Sequence, residues 1–169
     1  MKRLYIAYLI AAAIATAQET PRPAPSNEFF RLEFSLKELE SGKVVNARSY
    51  QMMARTGEGG LSSIRSGGKL PVAEKGAQGF QYIDVGVNID VHRLTHIGDE
   101  LTLDVTSEVS GAIEPANPQT PLPGPPVVRQ TRWSSIVLIP IRKQTVLFAS
   151  DDPTSKRQLQ LEVTATPMH

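Results

Sequence analysis

The sequence predicts an all-β fold, a single domain of about seven or eight short strands in hairpins that form a sheet or a sandwich. Three observations lead to this fold class. Apolar and polar residues alternate through several segments, which is the period of a half-buried strand. Clusters of Gly, Pro, Asn and Asp separate those segments. None of the segments has the period of an amphipathic helix.

The first predicted hairpin runs from Phe30 to Arg55. Its first strand carries apolar residues at every second position, namely Phe30, Leu32, Phe34 and Leu36. This alternation puts one face of the strand against a core and the other in water. Ser41 and Gly42 supply a turn, and the β-branched and aromatic residues of segment 44–55 favour a second extended strand.

The following segment, 56–68, holds five glycines. Glycine at this density indicates positive φ angles or a close approach of strands, so we expect a mobile or bulged turn between two strands. A phosphate-binding loop is the alternative interpretation. It is disfavoured because Gly68 and Lys69 continue into Leu70 and Pro71 instead of a helix.

The clearest local pattern is a hairpin from Phe80 to Ser110 with a turn at Gly98 and Asp99. Before the turn, one face is apolar and carries Val85, Val87, Ile89 and Val91. The opposite face is polar and carries Asp84, Asn88 and Asp90. After the turn the same period continues at Leu101, Leu103 and Val105. A helix would scatter these residues around its circumference, so the pattern predicts two paired strands.

The last third of the domain begins with a loop. Segment 114–126 contains six prolines without a hydrophobic period, which predicts an exposed loop of polyproline character. Two more strands are expected over 133–141 and 144–149, with Pro140 favouring an edge position or a bulge. Trp133 is expected in the core. A turn at 151–153 leads into the final strand.

The amino terminus predicts export. Lys2 and Arg3 precede an apolar run over 4–14, and residues 15–17 form an A-x-A cleavage pattern. Residues 1–17 are therefore interpreted as a signal peptide and 18–27 as a Pro-rich leader. The alternative of a membrane anchor is disfavoured, because the apolar run is shorter than the ~20 residues that a spanning helix needs. Residues 28–169 form the predicted β-domain.

The charge and the residue composition exclude several classes of partner and site. Cleavage would remove two of the 18 basic residues and none of the 17 acidic ones, which leaves a net charge of about −1 and no attraction for nucleic acid. The chain contains no cysteine, so neither disulfides nor metal-thiolate sites can form. Hydrophobic burial and sheet hydrogen bonds are left to hold the fold.

No catalytic, cofactor or metal site is predicted. His92 and His96 are four residues apart, which in a strand separates them by about 13 Å, too far to share a metal ion without a bend. The acidic pairs at 99–100 and 151–152 fall in predicted turns, and neither serine pair, at 62–63 or 134–135, has a G-x-S-x-G context.

Several segments resemble the secretin family of outer-membrane channel proteins. Residues 82–91 and 101–110 are similar to a phrase aromatic-x-D-V-G-V-x-L-x-V, a turn, and L-x-L-x-V-x-x-E-V-S. Residues 64–72 resemble a preceding strand and turn with a glycine and an apolar-Pro-apolar step. Residues 159–168 resemble the terminal strand that ends on Thr-Pro. The family-motif positions, with structural roles implied by the resemblance, are Gly67, Pro71, Asp84, Gly86, Glu108, Ser110, Thr166 and Pro167.

The resemblance implies a non-catalytic role, since secretins assemble into rings that form gated channels for type II and type III secretion, type IV pili or filamentous phage. It implies protein partners in the periplasm or outer membrane, including self-association or a full-length secretin, and leaves membrane contact open. The chain departs from the family over 142–150, where two glycines of a V-x-G-G-L phrase are missing. The main alternative is therefore a soluble periplasmic β-sandwich that lost the channel function and serves as an accessory or ligand-binding module.

Overall fold

The computed structural model describes residues 27–57, 59–73, 79–112, 127–152 and 156–168. These residues form eight strands and no helix. The strands are β1 Phe29–Glu40, β2 Lys43–Arg55, β3 Ser62–Ala73, β4 Phe80–Ile97, β5 Glu100–Ala112, β6 Val128–Pro140, β7 Thr145–Asp151 and β8 Arg157–Met168. The predicted signal peptide, almost all of the Pro-rich leader and the loop 114–126 lie outside the described residues.

The strands form two antiparallel sheets of four. One sheet, here called sheet A, has the order β2-β1-β8-β7, and the other, sheet B, has the order β3-β4-β5-β6. The hairpins predicted at 30–55 and 80–110 are present as β1–β2 and β4–β5. The all-β prediction is thus confirmed, and the strand number falls at the upper end of the expected range.

The core lies between the two sheets and is built by the predicted alternation. Seventeen apolar side chains are buried in it, from seven of the eight strands. Strand β1 contributes Phe30, Leu32, Phe34 and Leu36, while β4 and β5 contribute Val87, Ile89, Val91, Leu94, Leu101, Leu103 and Val105. Trp133 packs against this cluster as predicted, and its ring stacks on Phe148 with centroids 5.9 Å apart.

Several predicted boundaries were wrong. The strand expected to begin at Trp133 begins at Val128, and Asp151, expected in a turn, ends β7. The glycine-rich segment was expected to be a turn as far as Gly68, but Ser62 to Gly68 belongs to β3, which continues through Pro71. Glycine disfavours a strand locally, yet β3 pairs along its whole length with residues 80–91 of β4, and this pairing holds the glycines extended. Ile141, expected in a strand, begins the turn to β7 instead, and its amide donates to the carbonyl of Asp99 at 3.0 Å.

The two ends of the sandwich can be told apart. At the end where β1 begins and β4 ends, here called the proximal end, the rings of Phe30 and His96 meet edge to face with centroids 5.4 Å apart. Thr56 and Glu28 exchange two hydrogen bonds there, each 2.9 Å long, and Gly57 pairs with Leu94. At the opposite, distal end, Arg129 near the start of β6 forms an ion pair with Asp152, which follows β7.

Candidate interaction site

A close contact between two glycines lies in sheet B. Gly67 of β3 is directly opposite Gly86 of β4. A Cβ atom on Gly67 would lie 2.0 Å from the carbonyl oxygen of Val85, and one on Gly86 would lie 2.1 Å from that of Ser66. Gly86 also has a φ of +147°, a conformation that L side chains rarely adopt. Only glycine at both positions lets the strands approach this closely.

The glycine pair marks the point where the β3–β4 hairpin leaves the rest of its sheet. Strand β4 pairs with β5 from Val87 to Ile97, whereas its residues 80–86 pair, within the described part of the chain, only with β3. At the branch point the amide of Gly86 donates to the Ser110 hydroxyl oxygen at 3.1 Å, in place of a strand partner. Beyond it, residues 67–73 and 80–86 continue as a two-stranded extension, here called the distal ribbon.

Ion pairs cross β3 and β4 on both sides of the glycines. On one side Arg65 donates to both carboxylate oxygens of Asp90, at 2.8 and 3.1 Å, and the Ser63 hydroxyl donates to the same carboxylate at 2.7 Å. On the other side Lys69 lies 2.9 Å from Asp84, with both side chains largely exposed. Burial acts to raise the pKa of Asp90. The hydrogen bonds from Ser63 and Arg65 and the positive charge of Arg65 and His92 outweigh burial, so this pKa lies below its ordinary value.

Six of the eight predicted family-motif positions lie in this region of sheet B. Besides Gly67, Gly86, Ser110 and Asp84, Pro71 stands opposite Tyr82 in the distal ribbon. Glu108 lies on β5, opposite Asn88 on one side and Arg132 on the other. The remaining two positions, Thr166 and Pro167, are in sheet A beside β1 at the proximal end. The structure therefore brings six of the predicted positions together in sheet B and places the other two apart from them in sheet A.

The surface over the glycine pair is a shallow cleft, lined by the glycines themselves and by polar residues that include Arg65, Lys69, Asp84, Asn88 and Ser110. Among the described residues, no group of three or more His, Asp or Glu side chains is arranged to hold a metal ion. Exposed strand edges of this kind can accept a strand from another protein chain.

The two histidines that the sequence places four apart have different surroundings. His96 packs edge to face on the Phe30 ring while remaining exposed at the end of the sandwich, and its Nδ1 lies 2.5 Å from the Glu28 carboxylate, so it links sheet B to the start of sheet A. His92 is also exposed and lies at a bulge of β4 between Val91 and Arg93. Glu28 was not singled out in the sequence, because the contact depends on how the two sheets meet at the proximal end.

One buried carboxylate was missed altogether. Glu162 on β8 is buried and lies 2.5 Å from Lys37 Nζ on β1. The side-chain amides of Gln160, at 2.7 Å, and Gln144 also donate to it. The register that aligns β1 with β8 brings these residues together from opposite ends of the sequence. Their arrangement is a satisfied structural ion pair on the outer face of sheet A.

Comparisons with solved structures identify the fold. The type II secretion secretin XcpQ of Pseudomonas aeruginosa matches 86% of this chain with a TM-score of 0.56 and 12% identity. GspD in the pilotin–secretin AspS–GspD complex of ETEC matches 85% with a TM-score of 0.53 and 12% identity. GspD of enteropathogenic Escherichia coli matches 85% with a TM-score of 0.52 and 11% identity. The resemblance to secretins inferred from sequence motifs is confirmed at the level of fold.

The similarity has defined limits. The chain spans 60%, 50% and 70% of the lengths of these three proteins. No family model matches the sequence, and no curated protein matches it. The described residues contain no helix, and hence none that could span a membrane.

Proposed function

We propose that this protein is a non-catalytic, secretin-like component of the bacterial cell envelope. It works with type II or type III secretion or type IV pilus machinery through protein–protein assembly. The observation that carries the proposal is the match of this two-sheet fold to the secretin XcpQ over 86% of the chain. The predicted signal peptide supports delivery to the periplasm or outer membrane.

The local geometry supports assembly in two ways. Each sheet has two edge strands among the described residues, β2 and β7 in sheet A and β3 and β6 in sheet B. The outer edge of such a strand can accept a strand from another chain. Among the described strands, none pairs with residues 80–85 of β4 on the side away from β3, and Phe80 and Tyr82 are exposed there. A partner strand placed there would satisfy main-chain groups and cover aromatic surface.

A second candidate function is a soluble accessory module. It is favoured by the filled core, in which 17 apolar side chains from both sheets pack within a single copy. A chain that completes its own core can act without assembling further copies. Under this alternative the strand edges would serve one partner at a time.

Cell fractionation tests the proposal. We expect the protein in the envelope, isolated together with a secretion or pilus channel, and we expect a variant lacking residues 1–17 to stay in the cytosol. Antibody detection avoids a tag near either end of the domain. Full-length protein in the cytosolic fraction, or envelope protein that never co-isolates with such machinery, would contradict the proposal.

A further inference from the structure

The shallow cleft over the glycine pair of sheet B, here called the glycine cleft, has a volume of about 450 Å³. This volume falls within the roughly 300–1,000 Å³ that small-molecule sites occupy. The cleft exists because neither Gly67 nor Gly86 carries a side chain, and the close approach of the two strands excludes a Cβ atom at both positions. Its floor is therefore in place before any ligand binds.

Polar side chains stand on both sides of this floor. Arg65 and Asn88 lie opposite each other on one side, and Lys69 and Asp84 lie opposite each other on the other side. Together they supply guanidinium, ammonium and amide donors, and amide and carboxylate acceptors. The side chains of Lys69 and Asp84 are 65% and 80% exposed, so a ligand can reach them. The cleft can thus form hydrogen bonds with a ligand that is rich in hydroxyl groups.

Two exposed aromatic rings continue the same outer face beyond the cleft. Tyr82 follows Asp84 by two residues on β4, which places it about 7 Å further along the distal ribbon. Phe80 is the next residue on that face, and these two aromatic residues are 68% (Phe80) and 60% (Tyr82) exposed. The face of an exposed aromatic ring is apolar and carries partial negative charge, so it attracts C–H groups.

The charges around the glycine cleft are balanced. Arg65 donates to both carboxylate oxygens of Asp90, and Lys69 lies 2.9 Å from Asp84. Further along the outer face, charged residues again stand opposite residues of the other sign, namely Glu108 opposite Arg132 and Asp104 opposite Arg93. A charged ligand would have to compete with these pairs, whereas a neutral ligand would not.

We propose that the glycine cleft binds an uncharged glycan chain, with one sugar ring over the glycine pair and the next ring stacked on Tyr82. A pyranose has hydroxyl groups at its rim and C–H groups on its faces, so it matches polar walls that lead onto an aromatic ring. This inference goes beyond the proposed function, because it concerns a ligand of the domain and not the secretion machinery.

An extended peptide fits the cleft less well. Peptides that add to a strand depend on pockets for their alternate side chains. Val85 is the only residue with an apolar side chain among those that line the cleft, so such pockets are lacking there. A peptide is therefore the competing ligand class that the experiment has to separate from a glycan.

Calorimetric titration with neutral oligosaccharides tests the site. The probes are tetrasaccharides of glucose, of mannose and of N-acetylglucosamine, added to the purified full-length protein. We expect at least one of them to bind with a dissociation constant below about 1 mM. The affinity should not change between about 50 and 500 mM salt, because no ligand charge is screened. Hydrogen exchange should slow in segments 65–69 and 84–88 when that probe is bound.

Two variants with matched controls locate the contacts. Tyr82→Ala removes the stacking ring and Asn88→Ala removes an amide of the wall, and each should weaken binding about fivefold. The control for the ring is Phe29→Ala, an exposed aromatic residue of sheet A. The control for the amide is Asn46→Ala, an exposed residue of β2. Both controls should bind like the unmodified protein, and thermal melting checks that every variant is folded.

Three results would overturn the inference. They are the absence of binding by all three tetrasaccharides, binding that neither Tyr82→Ala nor Asn88→Ala weakens more than its control, and affinity that falls steeply with salt. Protection of the same two segments by a pool of peptides of about eight residues, without an effect of the sugars, would assign the cleft to a protein strand. These outcomes leave the proposed function untouched, because a protein without glycan affinity can still fractionate with the envelope and its secretion machinery.

Discussion

Gly67 and Gly86 lie opposite each other across β3 and β4 so closely that neither could carry a Cβ atom. The distances to main-chain oxygen would be 2.0 and 2.1 Å, and main chain cannot rotate away as a side chain can. This contact coincides with the point at which the β3–β4 hairpin separates from β5. The glycine pair therefore sets the start of the distal ribbon, and its consequences can be measured.

Substitution of Gly67 should lower the free energy of unfolding far more than substitution of its neighbour Gly68. Gly67→Ala puts a methyl group into the main chain of β4, and we expect a loss of about 2–4 kcal/mol in the free energy of unfolding. Gly68→Ala is the matched control, because its Cβ would meet nothing within 4 Å. Urea denaturation should show less than about 1 kcal/mol for this control. Equal effects of the two changes would contradict the close approach.

Ser110 should stabilise the fold through a single hydrogen bond. Its hydroxyl oxygen accepts from the Gly86 amide, and Ser110→Ala would leave that half-buried donor without this partner. We expect a loss of about 1–2 kcal/mol in unfolding free energy. Amide hydrogen exchange at Gly86 should also become faster. Ser49→Ala, at an exposed position of β2, is the control and should change neither quantity.

Acid stability should depend on Asp90 more than on Asp84. Because the pKa of Asp90 is lower in the folded protein than its ordinary value of 3.8, the charged carboxylate stabilises the fold above that value. This contribution is lost as the pH falls through the lower, folded pKa. Asp90→Asn should therefore lower stability at neutral pH by about 1 kcal/mol and weaken the fall in stability below pH 4.

The control for this pH effect is Asp84→Asn. Asp84 is in an ion pair too, with Lys69, but its side chain is 80% exposed. Exposed ion pairs contribute little because water screens them. Melting temperatures between pH 2 and 7 should show the Asp84 variant following the unmodified protein. An Asp90 variant with the unmodified pH profile would show that its ion pair does not stabilise the fold.

Removing one partner of the buried ion pair between Lys37 and Glu162 should lower the free energy of unfolding more than replacing both partners by apolar residues. Lys37→Met leaves the Glu162 carboxylate buried without its cation, and we expect a loss of roughly 3 kcal/mol. The double change Lys37→Met with Glu162→Leu removes both charges and should regain most of that loss. Guanidinium denaturation of the two variants measures the difference. A double variant less stable than the single one would contradict this account.

Local periodicity was sufficient to predict much of the fold. The alternation at Phe30, Leu32 and Phe34 and the Gly98 turn identified two hairpins, because hairpin pairing is determined within a short stretch of sequence. The placement of Gly67 inside β3 was missed, since its strand is held by pairing with β4 and not by its own propensity.

The parts of the site that sequence reasoning missed depend on long-range register. Lys37 meets Glu162 only because β1 aligns with β8, and His96 meets Glu28 only because the two sheets join at the proximal end. The family motifs singled out Gly67, Gly86 and Ser110, but nothing in the motifs indicated that Ser110 bonds the Gly86 amide. The exposed side chains of Ile136 and Leu138 could have been noticed in the sequence, because they are apolar residues on the polar side of an alternating strand.

The native mass of the protein extracted from the cell envelope tests the central claim most directly. Light scattering on the membrane extract and on the periplasmic fraction gives this mass. The account predicts an assembly of several copies in the envelope extract. A soluble monomer confined to the periplasmic fraction would contradict it and would favour the accessory module.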